Sequence, residues 1–158
     1  MRHTLLASAV AAAIALSGCT TTKDTQQEDS MQTGQQVQNI LLRPSPLPYQ
    51  TPEFDKLKTA DYEPAFKLGM EQHEKEIKAI ASNPQQATFE NTVLAMENSG
   101  ELLNRAATIF FNLSGIKSDA EIQRIEADIA PKLAAHNDDI FLNKALFQRV
   151  KNVYENRD

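Results

Sequence analysis

The spacing of apolar residues between positions 62 and 154 constrains this chain most, because they recur there at steps of three and four. That period places them on one face of an α-helix, with charged residues such as Glu74 and Lys78 facing away. The four successive stripes are Tyr62, Phe66, Met70, His73, Ile77 and Ile80; Phe89, Val93, Met96, Leu103 and Phe110; Ile122, Ile125, Ile129 and Leu133; and Leu146, Phe147, Val150, Val153 and Tyr154. No stretch alternates like a strand, so the sequence predicts an all-α fold of about four amphipathic helices over residues 59–158.

Local signals predict where these helices begin, end and bend. Thr88 and Asn143 are suitable N-caps for the second and fourth helices. Residues 118–121 resemble a capping box, in which the Ser118 hydroxyl accepts from the third backbone N–H of the helix. Gly100 indicates a break or a close helix contact. Pro131, inside the third helix, predicts a kink because its ring removes one backbone hydrogen bond.

A Pro-rich segment, residues 39–58, precedes the helices. Four prolines between residues 39 and 52 predict an extended chain and argue against a helix or a central strand. Two interpretations stay open. The segment is either a stiff linker or a strap that docks onto the helical body through its apolar side chains, which are Leu41, Leu42, Leu47 and Tyr49.

The first 18 residues have the pattern of an export signal, with Arg2 followed by an uncharged apolar run from Leu5 to Leu16. A membrane-spanning helix needs roughly 20 apolar residues, and this run has about a dozen, so it is too short to remain as an anchor. Leu16-Ser17-Gly18-Cys19 matches the bacterial lipobox. The pattern predicts cleavage before Cys19 and lipidation of its thiol, and several acyl chains on one residue give a stable membrane attachment.

Residues 19–38 are predicted to be the lipidated cysteine and a disordered tether, because the stretch is rich in Thr, Gln, Asp, Glu and Ser and has almost no apolar residues. A coil of about 20 residues reaches roughly 25 Å. Thr20 rather than Asp after Cys19 favours the outer membrane. We therefore expect a lipid-anchored protein on the periplasmic side of the envelope of a Gram-negative-type bacterium.

Composition excludes several classes of chemistry. Cys19 is the only cysteine, so the mature body has no disulfide and no cysteine-based metal site. The chain has 16 basic and 21 acidic residues, and removal of the signal leaves 15 and 21, a net charge of −6. An acidic chain without a Lys/Arg cluster argues against nucleic acid as a partner.

One string, His73-Glu74-Lys75-Glu76-Ile77, resembles the zinc-binding helix of metallopeptidases, which carries two histidines four residues apart. Position 77 is Ile, so the second imidazole is missing, and we predict that His73 is a core-edge residue with one satisfied nitrogen. His136 also lies near the apolar side of its helix. No two histidines lie at ligand spacing, so the sequence predicts that two imidazoles never meet and that the chain has no metal or catalytic residue. The carboxylate pairs Glu74/Glu76 and Asp138/Asp139 are interpreted as solvated surface.

Longer strings resemble the opening of bacterial peptidyl-dipeptidases of the thimet-oligopeptidase family of zinc metallopeptidases. They occur in the family's order and span about 120 residues, from Asn39 to the end. The strings are Asn39-Ile-Leu-Leu, Leu47-Pro-Tyr, Phe54-Asp-Lys-Leu-Lys, Tyr62-Glu-Pro-Ala-Phe66, Thr88-Phe-Glu-Asn-Thr92, Ser99-Gly-Glu-Leu-Leu103, Phe110-Phe-Asn-Leu113 and Ala130-Pro-Lys-Leu-Ala-Ala-His136.

This resemblance implies a large, two-lobed helical zinc enzyme that removes dipeptides from the carboxyl end of oligopeptides. The family's zinc ligands come from a H-E-x-x-H helix and a later Glu, downstream of the matched region, and no position here corresponds to them. We expect a chain that supplies part of the amino-terminal lobe, binds no zinc itself and is inactive alone. The helical stripe runs to the last residues without a stop signal, which suggests truncation. The alternative is a stand-alone helical lipoprotein that binds a partner or a peptide.

Overall fold

The computed structural model describes residues 39–117 and 119–157. Within these ranges the chain forms four long helices and no strand, which confirms the all-α prediction. The helices are α1 (Tyr62–Ala81), α2 (Glu101–Ser114), α3 (Ala120–Phe141) and α4 (Lys144–Glu155). The predicted signal peptide, Cys19 and the tether lie outside the described residues. In the part that is described, no helix combines the length and apolarity needed to cross a bilayer.

Helix α1 is central, since it packs against α2, α3 and α4. Its closest approach is to α2, at Gly69. A Cβ atom built on Gly69 would lie 2.8 Å from Cα of Leu103, closer than real Cβ atoms come to other atoms. The two backbones therefore meet only because position 69 has no side chain, as at other small-residue helix crossings.

The aromatic residues of α1 and α2 interlock beside this crossing. The Phe110 ring lies 4.8 Å from the Tyr62 ring and 5.4 Å from the Phe66 ring, both in edge-to-face geometry. Such pairs stabilise by about 0.5–1.5 kcal/mol beyond the burial of their area. Phe66 and Phe110 are fully buried, so the stripes on these helices form the centre of the fold as predicted.

Among the described residues, the buried apolar side chains form two clusters. The larger, which we call the upper core, contains Leu41, Tyr62, Ala65, Phe66, Leu103, Ala106, Ile109, Phe110, Ile122, Ile125 and Ile129, with Met70 and Leu133 packed at its edge. The smaller, the lower core, contains Ile77, Ile80 and Leu146, with Ala81, Ala95, Met96 and Ile140 around them. Helices α1 and α3 contribute to both cores.

Two of the three predicted N-caps are confirmed. The Thr88 hydroxyl accepts from the backbone N–H of Asn91, and the Asn143 side chain accepts from the backbone of Ala145 and Leu146. The assignment of Ser118 as the cap of α3 was wrong. The Asp119 carboxylate accepts from the N–H groups of residues 121 and 122, because the helix begins one residue later than the capping-box pattern indicates.

The second stripe is divided among three pieces. A π-helical stretch, Phe89–Leu94, leads into one α-helical turn, Ala95–Glu97, and α2 starts only after Gly100. Gly100 has φ +71°, a left-handed conformation that breaks the helix. Within the π-helical stretch, Thr92 is buried, whereas Phe89 at its start is 55% exposed.

Helix α3 continues through Pro131 for ten further residues and ends at Phe141. Neighbouring turns therefore tolerate the lost hydrogen bond, and a change in axis direction at Pro131 stays a prediction. Ile122, Ile125 and Ile129 are buried as their spacing predicts.

The Pro-rich segment docks onto the upper core at both of its ends, through Leu41 and Leu42 at the start and Leu57 near the end. Leu41 is 1% exposed in the upper core, Arg105 Nε donates to the Leu41 carbonyl at 3.1 Å, and Asn39 Nδ2 donates to the Asp61 carbonyl at 2.8 Å. Leu42 packs at the edge of the same core. The interpretation in which Leu47 and Tyr49 also dock was wrong, because both side chains are exposed.

The expectation of an uninterrupted extended chain also needs correction. Two short 3-10 turns, Ile40–Leu42 and Pro48–Gln50, interrupt the segment. Asn39 caps the first turn, and the second places Tyr49 and Gln50 at positive φ with the Tyr49 ring fully in solvent. Proline at the start of a short turn is tolerated because the N–H it lacks has no partner there.

Arg149 connects α4 to the rest of the molecule. Its Nη1 donates to the carbonyls of Asn83 and Gln85 at 2.7 and 3.0 Å, and its Nη2 donates to Asn91 Oδ1 and Thr92 Oγ1 at 2.8 and 3.2 Å. The residue is 8% exposed. A buried cation surrounded by neutral oxygens therefore attaches α4, whereas the large stripe residues Phe147 and Tyr154 on the same helix are exposed.

We predict that Gly69→Ala and Gly115→Ala change stability in opposite directions. The methyl group added by Gly69→Ala would meet the α2 backbone, and overpacking of this kind costs about 1–3 kcal/mol, more than the gain of about 1 kcal/mol in helix propensity. At Gly115 φ is −68° and a Cβ would have no neighbour within 3.7 Å, so the substitution should stabilise by about 0.4–1 kcal/mol. Denaturant unfolding followed by circular dichroism measures both. A stabilising Gly69→Ala would contradict the close crossing.

We predict that Arg149→Ala lowers the free energy of unfolding by about 2 kcal/mol or more, because four oxygens lose a charged donor. The matched control is Lys151→Ala on the same helix. Lys151 is exposed and forms only a 3.6 Å ion pair with Glu155, so its loss should change stability by less than about 0.5 kcal/mol. Equal effects of the two substitutions in chemical denaturation would refute the anchoring role of Arg149.

Candidate functional site

Residues 73–77, which resemble a zinc-binding helix, lie on α1 and are divided between its exposed face and its buried face. His73 is half-buried, Glu74 is exposed, and Ile77 is 4% exposed in the lower core. Position 77, where a zinc helix would place its second imidazole, is therefore an apolar core position. Asp138 and Asp139 are exposed, as predicted for solvated surface. Cys19 is not among the residues described.

The structure brings His73 and His136 together, which contradicts the prediction that two imidazoles never meet. Nδ1 of His73 lies 3.0 Å from Nε2 of His136, and the ring centroids are 5.0 Å apart. Nε2 of His73 lies 3.1 Å from Oγ of Ser99, so both nitrogens of His73 have partners, not one as predicted. The pairing was missed because the histidines are 63 residues apart and meet only when α1 packs against α3.

The hydrogen-bond network determines the direction of each bond. The Ser99 hydroxyl donates its only proton to the Met96 carbonyl at 2.7 Å, so Oγ must accept from Nε2–H of His73. Neutral His73 then has no proton on Nδ1, and this nitrogen accepts from Nε2–H of His136. Hydrogen bonds therefore run in one direction from His136 through His73 and Ser99 to the backbone.

The surroundings of His73 favour its neutral form. Burial is the largest cause that lowers the pKa of His73 below its ordinary value, and the facing His136 lowers it further. The carboxylate of Glu76 acts in the opposite sense but does not outweigh them. The neutral state that the hydrogen bonds require is therefore also the one that the electrostatics favour.

Glu76 also holds the start of α2, a role that the sequence did not indicate. Glu76 is exposed, as predicted for solvated surface, and its Oε2 also accepts from the Gly100 N–H at 2.7 Å. A carboxylate at a helix N-terminus interacts favourably with the exposed N–H groups there. A Cβ on Gly100 would lie 2.9 Å from the His73 ring, so only glycine fits between Ser99 and α2 at this point. We call His73, Glu76, Ser99, Gly100 and His136 the polar layer.

Ser99, His73 and His136 are connected in the same order as the nucleophile, the base and the orienting group of a catalytic triad. The directions of their hydrogen bonds differ from those of a triad. A nucleophilic serine donates to its base, whereas Ser99 donates to a carbonyl and accepts from His73. The Gly100 N–H, a backbone donor next to Ser99 in the chain, already donates to Glu76. This geometry does not support acyl transfer.

The described residues also do not provide a zinc site. Zinc in proteins takes three or four protein ligands, and no group of three His, Cys, Asp or Glu side chains lies within metal-binding reach in residues 39–117 and 119–157. The polar layer offers two imidazoles, and the nitrogens that face each other share a hydrogen bond.

A separate cleft of about 360 Å³ lies between the Pro-rich segment and α2, with Leu41 and Ile109 in its apolar wall. Its charged groups are paired with one another. Lys56 and then Arg43, whose Nη2 lies 2.6 Å from the carboxylate, hold the pKa of Glu53 below its ordinary value. The cleft therefore offers shape and apolar surface but few unpaired charges.

Sequence comparison indicates which known proteins this chain is similar to. The chain is similar to dipeptidyl carboxypeptidases. It is 44% identical over 119 residues, 75% of its length, to the dipeptidyl carboxypeptidase of Salmonella typhimurium, and 44% identical over 120 residues to that of Escherichia coli K12. It spans about a fifth of the length of these curated relatives, 18% of each. No protein-family model matches the chain.

The similarity agrees with the resemblance in the motif strings and extends over about three quarters of the chain. It therefore includes most of the helical body described above. A signal for the polar layer was present in the sequence, because His73 and His136 both lie near apolar helix faces. That signal indicates that both histidines lie at the edge of the core, but it does not identify the hydrogen-bond partner of either imidazole.

Proposed function

We propose that this chain is the amino-terminal helical part of a lipid-anchored zinc peptidyl-dipeptidase. The observation that carries the proposal is the 44% identity to dipeptidyl carboxypeptidases over three quarters of the chain. In this proposal the zinc ligands, the catalytic groups and the oligopeptide site belong to the part of the enzyme that the similarity does not cover. The role of this chain is to form part of the wall that limits access to the catalytic centre.

The surface near the junction of α3 and α4 supports a role as one part of a larger body. Phe141, Leu142, Phe147 and Tyr154 are between 62% and 81% exposed. Large apolar side chains grouped in this way mark a surface that another protein part covers. In the proposed enzyme, that part is the remainder of the same protein. In the alternative function, a stand-alone binding module, the same surface takes a separate partner or peptide.

The cellular context is also a proposal. Lipid on Cys19 would attach the protein to the envelope of a Gram-negative-type bacterium, on the periplasmic side and at the outer membrane. The tether over residues 19–38 would hold the helical body a few nanometres from the bilayer. Oligopeptides are the expected substrates of the whole enzyme, and the acidic charge argues against nucleic acid as a partner.

We predict that the isolated chain lacks dipeptidyl carboxypeptidase activity but functions as part of an enzyme. In a chimera, residues 39–157 replace the matched segment of the Escherichia coli relative. Because the two segments are 44% identical, the chimera should fold and keep activity within about tenfold of the parent. The matched control is the same chimera with Gly69→Val, which should lose the crossing of α1 and α2 and be poorly soluble.

Two results would count against this function. Peptidase activity of the chain alone, lost with a chelator and restored by zinc, would show a catalytic site within these 158 residues. A chimera that is folded but inactive, next to an isolated chain that melts cooperatively as a soluble monomer, would favour the binding module. Reading the DNA beyond codon 158 in three frames for H-E-x-x-H tests the same distinction without purified protein.

We predict that Cys19→Ala abolishes lipid attachment. Labelled fatty acid should be incorporated into the wild-type chain and not into the variant, because the thiol is the acylated group. The control is Ser17→Ala, which keeps the small-residue pattern before Cys19 and should be labelled normally. Equal labelling of Cys19→Ala and wild type would refute the lipobox. Fractionation of the envelope then determines which membrane retains the labelled protein.

A further inference from the structure

The polar layer separates the upper core from the lower core on each of three elements. On α1, His73 lies between Met70, at the edge of the upper core, and Ile77 in the lower core. On α3, His136 lies between Leu133 and Ile140 in the same way. Between Met96 and Leu103, the chain passes through Ser99 and Gly100. Hydrogen bonds of the polar layer therefore lie at the boundary between the cores.

The two imidazole nitrogens that face each other at this boundary can share only one proton. The facing nitrogens, Nδ1 of His73 and Nε2 of His136, share one hydrogen bond over 3.0 Å and need one proton between them. If both imidazoles are protonated, two N–H donors face each other and two positive charges lie about one ring apart. Rotation of the His73 ring would not solve this, because both nitrogens of a protonated imidazole are donors and the ring lies against Gly100.

The neighbouring charges do not neutralise a second proton at the facing nitrogens. The charge of Glu76 favours protonated His73, but burial and the facing His136 outweigh it. On α3, Lys132 and Asp139 lie one turn before and one turn after His136, and both are exposed. Lys132 is paired with Asp128 at 2.7 Å. On α2, Glu101 is paired with Arg105 at 3.0 Å.

We propose that the His73–His136 pair is a pH-sensitive joint: with one shared proton it couples the two cores, and with a second proton it releases the lower core from the upper. The lower core is the smaller cluster and depends on few apolar residues, so it should open first. The released part comprises the end of α1, the end of α3 and α4. This proposal does not depend on the proposed function.

The coupling of the two cores depends on pH because the folded state favours the neutral form of the His73 imidazole. Burial and the facing imidazole lower the pKa of His73 in the folded chain relative to the unfolded chain. The coupling is therefore present in full above the pKa of an unfolded imidazole, about 6.5, and is lost as the pH falls below it. Carboxylates titrate mainly below about pH 5, so the interval from about pH 7.5 to about pH 5 isolates the imidazoles.

Hydrogen exchange of the full chain at about pH 7.5 and about pH 5, corrected for intrinsic exchange rates, tests the joint. In the wild type, amides of residues 77–81 and 137–155 should exchange about tenfold faster at the lower pH, because protonation of the imidazoles favours the opened state. Amides around Phe66 and Phe110 in the upper core should change much less. His136→Gln keeps an N–H donor toward His73 but cannot be protonated, so it should reduce the acceleration and leave only the part that the burial of His73 causes.

Ser99→Ala is the matched control. It removes a partner of His73 but leaves both imidazoles facing each other, so its acceleration at the lower pH should persist. An acceleration of the same size in His136→Gln, or none in the wild type, would overturn the proposal. If His136→Gln does not fold, nuclear magnetic resonance titration of the wild-type imidazoles decides. A titration midpoint of His73 below about pH 6.5 supports the joint, and a midpoint at or above about pH 6.5 refutes it.

Discussion

The crossing of α1 and α2 at Gly69 is the constraint on which the rest of the structure depends. With no Cβ at that position, the backbone of α1 can lie against Leu103, and the rings of Phe66 and Phe110 then meet edge to face. This contact fixes α1 as the helix on which α3 and α4 pack. It also places His73 one turn further along α1, against Gly100, where the second close contact of the same two segments occurs. Two glycines, on different elements, thus set the geometry of the helical body.

The polar layer shows how an arrangement that resembles a catalytic one can have a structural role. Its three side chains lie in the order Ser99, His73 and His136, but the direction of the hydrogen bonds runs toward the backbone of Met96 and leaves no activated nucleophile. Its carboxylate, Glu76, holds a helix start. This interpretation agrees with the proposal that the chain forms a helical wall, since it is similar to dipeptidyl carboxypeptidases over only about a fifth of their length.

Much of the fold was predictable because helical periodicity and N-caps are local. The spacing of Ile122, Ile125 and Ile129 predicted a buried face, and Thr88 and Asn143 were recognised as caps from their own residue type. Predictions failed where two residues competed for one role or where register changed. Asp119 caps α3 next to the predicted Ser118, and in the π-helical stretch Thr92 rather than Phe89 is buried. The exposure of Tyr154 was equally unpredictable, because periodicity identifies an apolar helix face but does not show whether another helix packs against it.

The sequence by itself determined the all-α class, most helix limits, the absence of a second histidine at position 77 and the lipobox pattern at Cys19, because each depends on residues within a few positions of one another. Only the tertiary structure decided that His73 meets His136, that Arg149 binds four distant oxygens and that Leu41 belongs to the core while Tyr49 does not. These contacts join residues that are far apart in the chain. Their formation depends on how closely α1 can approach its neighbours, and local periodicity does not encode that distance.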